Sequence, residues 1–226
     1  MTEPPSPATS SSTKPLFGYW AFRANNRGSV NRYILGWSGV EYEEKRYTSG
    51  DEWGADKANL GMDFPNLPYV KNGDFFVTES KVVSAYLCDK FAPDLIGDTP
   101  EERARILQIQ ENLLDDYWKW FSGIFRTDDK ESMLTEGLKI MKVAADYLGD
   151  DKDWLANGKV SLVDFILFEQ MESCHAMAGD DRFETAYPNL KAHHDRVAAL
   201  PKMAAFLASD KHLAAPFVPP FAKIPF

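Results

Sequence analysis

Apolar positions along the chain first recur in short bursts and then, beyond about Pro93, at helical spacing. The run LFGYW from Leu16 is compact enough for a strand, and Val30–Trp37 fits one helix. VEYEEKRY, ending at Tyr47, alternates apolar residues with charge, as a half-exposed strand does. LPYV and DFFV flank an Asn72-Gly73 pair, a dipeptide suited to the positive dihedrals of a hairpin turn. From Ser80, KVVSAYLCDKF reads as a helix. The outline is β-α-β, a loop, then β-β-α.

After the short PDLIGDTP linker the period changes. Ile106, Ile109, Leu113, Tyr117, Phe121 and Ile124 step by three or four, the spacing of one helix face within Glu101–Phe125. Leu134, Leu138, Met141, Ala145 and Leu148 repeat the pattern. Ser161 and Asp164 frame a capping-box start to the almost wholly apolar FILFEQM, a helix buried on most sides. Leu190–Leu200 and Met203–Leu207 supply the last helices. The predicted organisation is a Pro/Ser/Thr-rich disordered arm over 1–15, an α/β unit over 16–93 and an all-helical unit over 100–226. The Pro/Phe-rich end, APFVPPFAKIPF, cannot be a regular helix and is predicted to strap across the body.

Composition then removes function classes. With 25 Lys+Arg against 34 Asp+Glu the net charge is −9, which argues against a nucleic-acid partner. Two cysteines, Cys88 and Cys174, exclude a disulfide framework, a Cys-based zinc finger and an iron–sulfur cluster. No apolar run is long enough for a membrane span, and the N-terminal arm fits neither a secretory signal nor a transit peptide. A globular protein of a reducing compartment, the cytoplasm, is the expectation.

Local chemistry in the α/β unit is suggestive only. Pro68 at a strand entrance fits a turn, cis or trans, and could leave the preceding backbone free to pair with an extended peptide. Ser80 at a helix start could bind a carboxylate or merely cap its own helix. His193-His194-Asp195 reads as helix surface, because neighbours on a helix diverge. Trp118 and Trp120 read as packing or a dimer face, and Asp164 as a cap.

Several blocks, taken together, carry a resemblance. Gly18-Tyr19-Trp20, Tyr42-Glu-Glu-Lys-Arg-Tyr47, Leu60-Gly-Met-Asp-Phe-Pro-Asn-Leu-Pro-Tyr69 and Thr78-Glu-Ser80 resemble the mu class of cytosolic glutathione transferases. So do Trp154-Leu-Ala-Asn-Gly, Val163-Asp-Phe165 and Tyr187-Pro-Asn-Leu190, in order and similarly spaced. The resemblance implies an N-terminal thioredoxin-like domain followed by a helical glutathione-transferase domain, a homodimer, and detoxifying conjugation of glutathione to small hydrophobic electrophiles. Glutathione would be co-substrate, with no metal.

The resemblance implies that Tyr19 is catalytic, its hydroxyl stabilising the glutathione thiolate. Trp20, Trp53 and Lys57 would hold the glycine end. Asn66, Leu67 and Pro68 would hold the cysteinyl part, and Glu79 and Ser80 the γ-glutamyl end. Asp115 would reach that end across the dimer. Phe125 stands in the electrophile pocket where the mu class has a tyrosine. The chain also departs from the class. Glu79 replaces a glutamine, an arginine between Tyr47 and Trp53 has no counterpart, and the loop after Tyr19 carries about two extra residues. These departures, with the arm and tail as docking segments for a larger assembly, motivate a structural or assembly subunit as a rival. A glutathione-dependent isomerase or peroxidase is a second.

Overall fold

The computed structural model describes residues 14–23 and 27–226. Most of the expected arm therefore lies outside the described residues.

The first unit is a four-stranded sheet in the order β2-β1-β3-β4. β1 (Leu16–Trp20) pairs in parallel with β2 (Glu43–Tyr47) and antiparallel with β3 (Tyr69–Asn72), which turns through Gly73 into β4 (Phe75–Thr78). Gly73 has φ 63°, the conformation that the Asn-Gly turn requires. Between β1 and β2 runs α1 (Ser29–Ser38), and after β4 comes α3 (Ser80–Phe91). This is the thioredoxin-like β/α arrangement expected from the sequence.

The stretch read as a loop after β2 contains a helix, α2 (Gly50–Lys57). It buries no residue, so it leaves no apolar stripe to detect, and two glycines lower its propensity. Its local signal is Ser49, whose hydroxyl accepts from the Glu52 backbone N–H.

The helical unit follows. α4 (Pro100–Phe121) runs into a 3-10 turn at Ser122–Phe125, and α5 (Lys130–Leu148), α6 (Leu162–Ala178), α7 (Arg182–Ala186), α8 (Pro188–Ala199) and α9 (Pro201–Leu207) complete it. α7, a single short turn, escapes any periodicity argument. α6 is buried along almost its whole length, as its apolar sequence demands. Its capping box forms, with the Asp164 carboxylate accepting from the Ser161 backbone N–H at 2.8 Å.

The same carboxylate corrects one expectation. His193 is not on the surface: it is 0% exposed, and its Nε2 lies 2.9 Å from Asp164 Oδ1. His194 is also engaged, 2.7 Å from Glu172 and stacked on Phe168. The adjacent histidines do diverge, but both directions lead into the body because α8 is covered on two sides.

The two units share one continuous apolar core, with α1 packed against α3, α6 and α9. After α9 the chain returns over the body. Ala215-Pro216 is cis, Val218, Ala222 and Ile224 are buried, and the Lys223 N–H donates to the Ile124 carbonyl at 2.9 Å.

Candidate functional site

Tyr19 sits near the end of β1, the central parallel strand, and is 3% exposed. Gly28 explains how the ring fits: a methyl group there would lie 2.2 Å from Tyr19 Cδ1. Burial pushes the Tyr19 phenol well above its ordinary pKa, with Arg27 and Arg32 acting in the opposite direction. The hydroxyl is therefore protonated, and a donor, throughout the neutral range.

Tyr19 borders a cavity of about 580 Å³. Aromatic rings from four parts of the chain line it: Trp20 at the end of β1 with Phe22 just beyond, Trp118 and Phe121 from α4, Phe125 from the 3-10 turn, and Phe217 and Phe221 from the tail. Phe125 and Phe221 stack with ring centres 5.8 Å apart. Such a cavity suits a flat apolar molecule.

A second cavity of about 270 Å³ adjoins it, lined by Leu67, Glu79, Ser80, Lys81, Glu111, Leu114 and Asp115. Arg27 and Trp118 line both, the guanidinium lying 4.1 Å over the indole ring. This pair is the junction at which the polar and apolar halves meet, next to Tyr19.

The second cavity has donors suited to an extended anionic ligand. Leu67-Pro68 is cis. Ser80 opens α3, and no side chain caps that helix end, so its first N–H groups face the cavity with the positive end of the helix dipole. Ser80 is thus not its own cap. Glu79 just before it has φ 70°, rare for a residue with a side chain, and its carboxylate accepts from Asn66 Nδ2 at 2.8 Å. The Leu67 N–H donates to Asn66 Oδ1 at 2.9 Å. α4 brings Asp115 of the same chain to this cavity, where it pairs with Lys119.

Trp53 and Lys57, on α2, border neither cavity. Trp53 packs on Tyr47 and Tyr69, and Lys57 is exposed. The sequence reading missed Trp118, Arg27 and the tail as site components. Trp118 read as packing and the tail as a strap, because only the fold shows what lies across from them. Among the described residues no group of three or more His, Cys, Asp or Glu is placed to hold a metal ion, and no helix is long and apolar enough to cross a membrane.

Comparison with known proteins meets this geometry. Residues 15–89 match the family described as "Glutathione S-transferase, N-terminal domain", and residues 95–210 match "Glutathione S-transferase, C-terminal domain". The chain is similar to glutathione S-transferase Mu 1 of Rattus norvegicus, 32% identical over 213 residues that cover 89% of this chain and 94% of that one. It is similar also to Mu 2 of Mus musculus, 32% identical over 92% of this chain and 96% of that one. Among solved structures, the glutathione S-transferase Blo t 8 superposes with a TM-score of 0.77 at 26% identity, over 92% of this chain and 99% of that one.

Proposed function

Because the chain belongs to the glutathione S-transferase family, we propose that it binds glutathione in the Ser80 cavity and conjugates its sulfur to small hydrophobic, preferentially aromatic electrophiles held in the adjoining apolar cavity. The observation that carries this reading is the meeting of the two cavities at Arg27 and Trp118, beside the Tyr19 hydroxyl.

The γ-glutamyl carboxylate takes the Ser80 hydroxyl and the uncapped N–H groups of α3, where the helix dipole favours an anion. Its ammonium is met by Glu79 and Asp115. The cysteinyl backbone pairs with Leu67 beside Pro68, the ligand replacing Asn66 Oδ1 on the Leu67 N–H, while Asn66 stays tied to Glu79. The glycine end extends out of the Ser80 cavity toward Trp20 and α2, where Trp53 and Lys57 hold it, Lys57 being an exposed cation suited to a carboxylate. Tyr19 donates its hydroxyl proton in a hydrogen bond to the sulfur. That bond favours thiolate over thiol and so presents the reactive form at neutral pH. The thiol proton passes to solvent, a sulfur lone pair attacks the electrophilic carbon and a C–S bond forms; in displacement the leaving group departs with its bonding pair toward the cavity mouth, and in addition the displaced π pair stays on the product and takes a proton from solvent. Phe125 supplies apolar surface but no proton to the electrophile.

Glutathione serves as co-substrate, without a metal in the reaction. A homodimer is part of the proposal: Phe64 is 80% exposed and lines a surface recess with exposed Phe75 and Val82. Such a face calls for a cover. Two buried free thiols suit a cytoplasmic setting.

The test is titration of the bound thiol by its ultraviolet thiolate absorbance, in wild type and Tyr19→Phe. Tyr19→Phe should raise the bound thiol's pKa by about 2 and cut conjugation of a chloro-dinitrobenzene roughly a hundredfold, with glutathione affinity nearly unchanged. A wild-type protein that folds but fails to bind glutathione would refute the proposal.

A further inference from the structure

The apolar cavity has one wall that none of the proposed glutathione ligands holds in place, the tail segment Phe217–Phe221. Its far end is pinned where Lys223 and Ile224 donate to the Ile124 carbonyl. Its near end is held by Arg23, four residues after Tyr19 and next to Phe22, which itself lines the cavity.

Arg23 is 2% exposed. Its backbone N–H donates to the Pro216 carbonyl at 2.9 Å, Nη1 reaches the Ala214 carbonyl at 3.4 Å, and the guanidinium lies 4.0 Å from the Phe217 ring centre. The same guanidinium is anchored in the helical body. Nε and Nη2 both donate to Glu169, Nη1 donates to Glu172 at 3.1 Å, and Nη2 reaches the Tyr33 oxygen at 2.7 Å. Tyr33 in turn donates to Glu169 at 2.6 Å. The Arg23 carbonyl accepts from Ser29, the first residue of α1. One side chain thus joins the loop after Tyr19, α1, α6 and the tail.

Burying a guanidinium is costly unless all its donors are used, and a pair serving only to tie the loop after Tyr19 to α6 would have no reason to touch the tail. Here one face of the planar group covers Phe217 and its edge reaches Ala214. A lysine could match neither the fork nor the flat face.

We propose that Arg23 is a positioning residue for the second substrate: it clamps residues 214–217 onto the loop after Tyr19, holds Phe217–Phe221 as a fixed wall, and thereby sets the size of electrophile that reaches the sulfur. This rests on the conjugation reading of the cavity.

The test compares wild type with Arg23→Lys and with the double variant Arg23→Met/Glu169→Gln, which leaves no unpaired buried carboxylate at position 169. Hydrogen exchange of the 217–226 peptide is measured with the KM of each substrate and with binding of N-phenyl-1-naphthylamine, a neutral aromatic probe. In the double variant, tail exchange should quicken and the KM for a small electrophile should rise about tenfold, the scale of one lost charge-assisted bond. Probe affinity should fall in step, the KM for glutathione should stay within about twofold, and bulkier electrophiles should lose less than small ones. Arg23→Lys should fall between the two.

Unchanged tail exchange and electrophile KM in a folded variant would overturn the proposal. So would equal rises in both KM values, the signature of a merely structural pair. Should the double variant fail to fold, Arg23→Lys decides by the same criteria. If wild type conjugates nothing, the conjugation reading fails, while tail exchange and probe affinity still decide whether Arg23 sets the wall.

Discussion

A hydrogen atom at position 28 is what lets the Tyr19 ring lie where it does, since the nearest ring carbon would be 2.2 Å from a methyl group there. Gly28 has an ordinary negative φ, so its requirement is close approach and not conformational freedom. Gly28→Ala must therefore move the ring or the start of α1. With Tyr19 in the proposed role, the expected outcome is a roughly tenfold or greater loss of kcat for conjugation with the KM for glutathione little changed, because a displacement of about 1 Å at a thiol-activating hydroxyl costs on this order. Steady-state kinetics on the variant check it. The Gly-Tyr-Trp context singled out Tyr19, which the structure sets beside the apolar cavity, whereas no signal singled out Gly28. Nothing local marks a glycine whose neighbour arrives from a strand nine residues earlier. His193 shows the same limit. Its helix position could be read, but its burial against Asp164 depends on a packing partner 29 residues away.

At the scale of elements, those with a strong period were legible and those without one were not. α4, α5 and α6 were foreseen from apolar spacing or a capping signal, and the strands from compact runs bounded by turns. α2 and α7 were not, since the first buries nothing and the second is a single short turn. Side-chain links between elements also stayed hidden, and one of them titrates. Glu172 on α6 is held down to about 2: burial opposes its charge, but His194 and Arg23 outweigh that. A carboxylate depressed in the folded state contributes stability that is complete above its unfolded value of 4.5 and is lost as pH falls toward 2. Glu172→Gln should accordingly cost about 1–3 kcal/mol at neutral pH, with the difference from wild type shrinking to little by about pH 2. Urea unfolding of both proteins across that range measures it, and a difference that grows on acidification would reverse the sign.

The whole molecule carries a net charge of −9 yet is proposed to hold an anionic tripeptide. Attraction must be local, from the α3 N-terminus, Ser80 and Lys57, acting against the general field. Phe64, the most exposed aromatic among the described residues, belongs to this scale too. For the proposed homodimer, Phe64→Asp should raise the dissociation constant about tenfold or more while leaving each chain folded, since it places a charge on the apolar face that such a dimer would cover. Sedimentation equilibrium with circular dichroism separates the two effects, and an unaltered dissociation constant would place the interface elsewhere. The domain order was legible at this scale because the spacing of apolar positions changes once. That the tail is a working wall was not, since cover for its phenylalanines could have come from any apolar surface.

The wall made by Phe217–Phe221 has a consequence for synthesis. Tyr19 emerges from the ribosome early and the tail almost two hundred residues later, at a few to about twenty residues per second. The sheet can fold and the α3 N-terminus can form long before the apolar cavity has its last side. Closing the contact between Arg23 and the tail, almost two hundred residues apart, is therefore a late event, with the entropic penalty that distant contacts carry. A nascent chain arrested before Ala214 should retain a glutathione-sized recess but no enclosed site for an electrophile. Catalytic competence then reports arrival of the Phe217–Phe221 segment, not merely folding of the first unit.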